Sequence, residues 1–182
     1  MQTVQTCNYL TEKLSSSPVP LHYQGYSIVM AEVPDEVTLA FNISGCTHHC
    51  KGCHSPYLWD DKTKGKQLQP DYIRLLEEMY PYISCVCFMG GEHNQLELYN
   101  ACALAKNMFN LKTCIYTGNS WLKDFELFFK YHVLDYIKIG EYKEELGGLN
   151  KKGTNQKMYK LYYTPKNELF IDITYKFQKK KE

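Results

Sequence analysis

The sequence predicts an α/β fold: mostly parallel strands preceded by an N-terminal β-hairpin. Two observations predict it. Short apolar runs ended by glycine alternate with segments of helical period, in the order strand, helix, strand, helix, strand, helix, strand. Such alternation calls for parallel strands joined by right-handed crossovers. Ahead of it, two β-rich runs flank the turn signal Pro34-Asp35-Glu36.

The elements follow in order. Residues 1–20 are expected to be weakly structured, since Ser15-Ser16-Ser17-Pro18 and Pro20 signal a loop. Tyr26 to Val33 and Val37 to Ser44 read as the hairpin strands. Pro70 to Tyr80 reads as a helix, with Pro70 suited to its first position and Ile73, Leu76 and Tyr80 at helical spacing. Ser84 to Met89 is an apolar run bounded by Gly90-Gly91, a buried-strand pattern. Gln95 to Phe109 is the clearest helix, stopped by Asn110. Lys112 to Tyr116 is a strand closed by Thr117-Gly118-Asn119. Ser120 suits the cap of a helix running to about Tyr131. Asp135 to Ile139 is a strand ended by Gly140, a Gly- and Lys-rich loop follows, and Glu168 to Phe177 alternates as a last strand. Residues 178–182 form a basic tail, expected to be solvated.

With 182 residues, one domain over 1–182 is expected. Lys plus Arg number 21 against 20 Asp plus Glu, so no global field recruits nucleic acid. No apolar stretch is long enough to span a bilayer and no signal peptide is visible, so a cytoplasmic protein without a membrane partner is expected. Eight cysteines in such a chain point to metal or redox chemistry rather than a disulfide framework.

Three of them, Cys46, Cys50 and Cys53, share one short loop. Iron–sulfur clusters are usually held by four thiolates, so three with no fourth nearby leave one iron open. Two other readings stand beside this one. His48, His49 or His54 can complete a Cys3His zinc site, and the loop can be a redox-active thiol group. Cys85 and Cys87 fall on one face of a strand and, like Cys7, Cys102 and Cys114, read as small buried hydrophobes.

Each unusual loop follows the C-terminal end of a parallel strand, the edge where such sheets bind ligands. Gly90-Gly91 lets backbone approach a ligand and Glu92 sets a carboxylate beside it. The plainer reading is a turn whose acid favours the next helix N-terminus. Lys138, between Ile137 and Ile139, either faces the ligand edge or points to helix or solvent.

The spacing of Cys46, Cys50 and Cys53 is similar to that of the radical S-adenosylmethionine (radical SAM) enzymes. The chain further resembles the activating proteins of anaerobic ribonucleoside-triphosphate reductases. The matching pieces are Gly45-Cys46-Thr47-His48-His49-Cys50-Lys51-Gly52-Cys53-His54-Ser55-Pro56, Gly90-Gly91-Glu92, Tyr116-Thr117-Gly118 and Thr154-Asn155-Gln156-Lys157. They run from about Thr38 to Lys157. Three positions depart from that family's habit: His93 stands for a proline, Asn119 for a tyrosine and Lys157 for an arginine.

The resemblance implies a compact partial (βα) barrel forming a single radical SAM domain. It implies a [4Fe–4S] cluster on Cys46, Cys50 and Cys53, with S-adenosylmethionine on the open iron. Gly90, Gly91 and Glu92 would meet the amino group of its methionine moiety, Lys51 and Gly52 its adenine through backbone, Thr117 another part of the cofactor, and Lys138 its carboxylate. No catalytic residue beyond the cluster ligands is implied. Reductive cleavage would give a 5′-deoxyadenosyl radical that takes hydrogen from a glycine of the large reductase subunit. Flavodoxin or a similar small protein would supply the electron. The segment from Gly147 to Lys157, which follows the last strand ending at the ligand edge and shows little core-forming pattern, reads either as a docking surface for the partner or as an ordinary solvated loop.

Overall fold

The computed structural model describes residues 19–165 and 167–178. The N-terminal segment before residue 19, with Cys7, and the tail beyond residue 178 lie outside the described residues. The strands are β1 (His22–Val29), β2 (Thr38–Ile43), β3 (Lys66–Gln67), β4 (Cys85–Met89), β5 (Lys112–Tyr116), β6 (Tyr136–Ile139), β7 (Lys157–Tyr163) and β8 (Glu168–Asp172). The helices are α1 (Leu68–Met79), α2 (Gln95–Phe109) and α3 (Glu126–Lys130). All strands join one sheet in the order β3-β1-β2-β4-β5-β6-β7-β8.

The central strands β2, β4, β5 and β6 are parallel neighbours. The pairs on either side, β1/β2, β1/β3, β6/β7 and β7/β8, are antiparallel. One expectation is corrected here: parallel pairing is confined to four strands, so the strands are not mostly parallel. The sheet does not close on itself, with β3 and β8 at its two edges, and barrel curvature is not shown.

The two faces of the sheet are covered differently. On one, Leu39, Phe41, Val86, Phe88, Ile115 and Ile137 pack against Tyr72, Leu75 and Leu76 of α1, Leu98, Ala101 and Ala105 of α2, and Phe125, Phe128 and Phe129. The Tyr72 hydroxyl donates to the Ala101 carbonyl at 2.8 Å, pinning α1 to α2. On the other face Ala40, Cys85, Cys87, Cys114 and Tyr136 meet Val33, Leu149, Met158 and Ile173, which come from loops, β7 and the C-terminal turn. Period-2 alternation sends neighbouring residues to opposite faces, so Cys85 and Cys87 share a face as expected. Both, with Cys102 and Cys114, are fully buried.

Element ends show where local chemistry decided. Gln69 is extended (ψ 136°) ahead of Pro70, so the regular turns of α1 begin at the proline. Asn110 ends α2 in the left-handed region at φ 53°. β1 starts and stops earlier than Tyr26 to Val33 predicts: a bulge between Tyr23 and Gly25 breaks the alternation, and Val33 leaves the strand for the second core. Ser120 caps nothing. The segment enters as a 3-10 turn, Leu122–Phe125, and α3 follows, its position fixed by three buried phenylalanines rather than by a cap. β8 stops at Asp172, where Oδ1 accepts from the Thr174 amide at 2.9 Å and turns the chain into the 3-10 helix Thr174–Phe177. β7 falls at the end of the stretch that reads as a docking surface or a solvated loop. That stretch also buries Leu149, Thr154 and Gln156, so it carries core after all. No helix among the described residues is long and apolar enough to cross a membrane.

Candidate metal centre and ligand cleft

The C-terminal ends of the four parallel strands open into one cleft. Cys46, His48, Cys50, Cys53 and Ser55 line it after β2, Gly90 and Glu92 after β4, Thr117 and Gly118 after β5, Glu141 and Tyr142 after β6. Gln156 lines it from the segment entering β7. Met89, Tyr116 and Lys138 form a row along its base, because β4, β5 and β6 are in register at these positions.

The cysteine loop is held from behind by the segment that follows it. The amides of Gly45 and Cys46 donate to the Leu58 carbonyl at 2.8 and 2.9 Å, and the Asp60 amide donates to the Cys46 carbonyl at 3.1 Å. Nε2 of His49 lies 2.5 Å from Oδ1 of Asp60, and its ring sits 4.9 Å from that of Trp59. The Ser55 amide donates to Cys53 Sγ at 3.3 Å; such bonds to sulfur tune a cluster's potential. His54 packs on Tyr142 at 5.3 Å. Two of the three histidines thus have other partners, His49 on Asp60 and Trp59 and His54 on Tyr142. His48 alone faces the cleft, so close over Gly118 that a Cβ there would lie 2.3 Å from Cδ2 of its ring.

Of the residues singled out from sequence, Cys46, Cys50, Cys53, Gly90, Glu92, Thr117 and Lys138 line the cleft, while Lys51, Gly52 and Gly91 do not. Lys51 points outward and pairs with Glu144 at 3.2 Å. Gly52 abuts the same Glu144. Gly90 and Gly91 have φ near 100° and 103°, a region where a Cβ is strained. A side chain at Gly91 would point at Leu98 and Ile43, so that glycine serves packing. Thr117 is 3% exposed, and its Oγ1 accepts from the Asn119 amide at 3.0 Å, holding the turn. Lys157 is away from the cleft, 3.2 Å from Asp172.

The loop Gly140-Glu141-Tyr142 is one of the four that sequence reasoning sets at the ligand edge, and Glu141 and Tyr142 line the cleft; Met89, Tyr116 and Gln156 were not singled out as lining residues. Met89 and Tyr116 had a readable signal: they continue the face of Cys85, Cys87 and Cys114 at a period of two. Gln156 had only its place in the matching piece Thr154-Asn155-Gln156-Lys157, which does not say that its side chain reaches the cleft; that depends on how the loop after β6 returns.

The charges are lopsided. Burial pushes the Cys46 thiol up, and Glu92, Cys50 and Cys53 add to the rise. Lys138 is 8% exposed, and burial brings its ammonium down to about 8 against the pull of Cys50, Glu92, Cys46 and Cys53. Its Nζ donates to the Gly140 carbonyl at 2.6 Å. Three thiols and a carboxylate therefore face one buried amine. Thiolate ligation requires positive charge to replace the thiol protons, which a metal bound by these thiols would supply. The other described cysteines are fully buried on or under the sheet, so among the described residues no fourth thiol reaches this cleft. Among the described residues no three His, Cys, Asp or Glu side chains are drawn together tightly enough to hold one metal ion, as a mononuclear zinc site needs.

Residues 36–161 match the family described as 4Fe-4S single cluster domain. The chain belongs to that family. No curated protein and no solved structure matches it. For a single-cluster 4Fe-4S protein the donor set of the cleft is apt: soft sulfur ligands, an amide bonded to one of them, and walls that limit solvent.

Proposed function

We propose that this protein is a radical SAM enzyme, and that it activates an anaerobic ribonucleoside-triphosphate reductase by placing a radical on a glycine of the large subunit. The observation that carries the reading is the meeting of Cys46, Cys50 and Cys53 with Glu92 and Lys138 in one cleft. Three thiolates hold a cluster and leave a ligand position. A carboxylate and an ammonium on the same walls match the amino and carboxylate groups of an amino acid.

In this reading Cys46, Cys50 and Cys53 hold the [4Fe–4S] cluster. A cluster held there would supply the electron for reductive cleavage of a carbon–sulfur bond of S-adenosylmethionine, the chemistry that hydrogen abstraction from the partner's glycine requires. Glu92 accepts hydrogen bonds from the methionine ammonium and Lys138 faces its carboxylate, charge-assisted contacts that fix the sulfonium. Gly90 lets backbone come close, and Thr117 and Gly118 form the wall opposite the cysteine loop with His48. Met89 and Tyr116 give an apolar base that limits water. A small reductant such as flavodoxin serves as donor, and the setting is the cytoplasm. Exposed Lys151 and Lys152 offer the reductase a docking surface beside the cleft wall.

The test is electron paramagnetic resonance after anaerobic mixing with a cognate reductase, S-adenosylmethionine and reductant. A glycyl-radical doublet is expected. A doublet only with a different glycyl-radical enzyme would reassign the partner, and 5′-deoxyadenosine production without any doublet would point to a peptide or nucleoside modifier.

A further inference from the structure

The Gly140 carbonyl has two suitors. Lys138 Nζ donates to it at 2.6 Å, and Gln156 Nε2 approaches it at 3.4 Å, the long end of a hydrogen bond. Both side chains line the cleft, and they are 8% and 6% exposed. The approach is built in. Gly140 has φ 93°, and a Cβ there would lie 3.1 Å from the Asn155 carbonyl oxygen, so glycine lets the end of β6 meet the strand returning into β7. The returning segment is tied down at and just ahead of Gln156: Asn155 Nδ2 donates to the Glu141 carbonyl at 2.9 Å, and the Gln156 backbone amide donates to Thr154 Oγ1 at 3.2 Å.

Lys138 belongs to none of the ion pairs among the described residues. The carbonyl offers a dipole rather than a charge, the Tyr116 ring lies 6.0 Å from Nζ, and Glu92 attracts the ammonium across the cleft without pairing with it; a buried ammonium held this way gains from a direct countercharge. An anionic ligand group entering the cleft draws Nζ away. Without a substitute donor the buried Gly140 carbonyl would then lose its close hydrogen bond, which itself costs free energy. Gln156 Nε2 is already aimed at that oxygen.

We propose that Gln156 is a positioning residue that takes over the Gly140 carbonyl and so releases Lys138 to the carboxylate of the incoming ligand. This rests on the reading of the cleft as a site for S-adenosylmethionine and adds the device by which its carboxylate is selected.

The test compares S-adenosylmethionine with its decarboxylated analogue on the anaerobically reconstituted full chain, by equilibrium dialysis. Wild type is expected to favour the carboxylate form by about tenfold or more. Lys138→Met should remove that preference. Gln156→Leu should leave binding of the decarboxylated analogue unchanged and lose most of the preference. Gln156→Glu, nearly isosteric and a second route should the leucine disturb folding, should abolish the preference, because its carboxylate pairs with Lys138 from within. Iron content should be wild-type in all three. If Lys138→Met loses the preference while both Gln156 variants keep it in full, the role of Gln156 is overturned and the cleft reading stands. If wild type binds both compounds equally, the carboxylate selection by Lys138 and Gln156 is overturned while the cleft remains a site for S-adenosylmethionine; if it binds neither, the cleft reading falls and takes this proposal with it.

Discussion

The Tyr136 hydroxyl donates to Oε1 of Glu36 at 2.7 Å, joining the turn before the first parallel strand to the start of the last. Glu36 is 5% exposed and gathers more: Lys112 Nζ at 2.5 Å on the same oxygen and Ser84 Oγ at 2.7 Å on the other. One carboxylate thus ties β2, β4, β5 and β6 together at the edge opposite the cleft. Fixing the strands' near ends sets the register that aligns Met89, Tyr116 and Lys138 at their far ends.

Glu36→Ala should therefore destabilise the fold by about 2–3 kcal/mol, the lower side of what breaking a buried charge network costs, since Lys112 is half exposed. Urea unfolding followed by circular dichroism measures it. Burial alone would raise the Glu36 carboxyl, but the bonds from Lys112, Ser84 and Tyr136 outweigh burial and hold it below the ordinary range. The unfolded chain then binds the proton more readily, so this contribution is present above the usual carboxylate range and is lost as pH falls through it. A loss under about 0.5 kcal/mol would show that the strands do not depend on this hub.

His93 adds a second acid-side slope. Burial, then the nearby charges of Lys62 and His22, bring its imidazole from 6.5 to about 4. Between those values the unfolded chain carries the proton and the folded one does not, so stability should fall as pH drops from about 6.5 to about 4 and level off below. His93→Asn should flatten that part of the profile in denaturant titrations at stepped pH. An unchanged slope would place the titration elsewhere.

The four loops and the parallel core were legible because glycine ends each apolar run, as at Gly90, Gly118 and Gly140. The cysteine triplet marked this loop for metal or redox chemistry, with a cluster, a zinc site and a thiol group all open from spacing, and the family match supports the iron–sulfur reading. What escaped depends on distant pairing. β7 carries Lys157 and Lys160 among its tyrosines, and only its fit between β6 and β8 makes it a strand. Whether a sheet closes is decided at its edges, where two-residue β3 and half-exposed β8 leave little local signal. Gly91 matched a ligand motif, yet its backbone faces Leu98; the motif gave the loop and left open which glycine serves the ligand.

Glu92→Gln should weaken S-adenosylmethionine binding by about 10- to 100-fold, the span of a charge-assisted hydrogen bond, with iron content unchanged. Anaerobic titration calorimetry gives the affinity and iron analysis the control. Equal affinity in the variant would leave Glu92 as an acid at the start of a 3-10 turn.

Gly118→Ala should displace His48, since the new methyl would sit 2.3 Å from its ring. The imidazole can swing outward, so stability should change by no more than about 1 kcal/mol while ligand affinity falls. Thermal melts paired with binding measurements separate the two effects. Unaltered binding would remove His48 and Gly118 from the ligand wall.

The central claim is that Cys46, Cys50 and Cys53 hold the cluster. Iron and acid-labile sulfide are to be counted in anaerobically purified protein for each cysteine-to-serine variant. The account predicts roughly four irons per chain in wild type, a colourless protein when any one of these three is changed, and full iron in folded Cys85→Ser, Cys87→Ser, Cys102→Ser and Cys114→Ser. Full iron and sulfide in all three cleft variants, or a colourless wild type carrying one zinc, would contradict it.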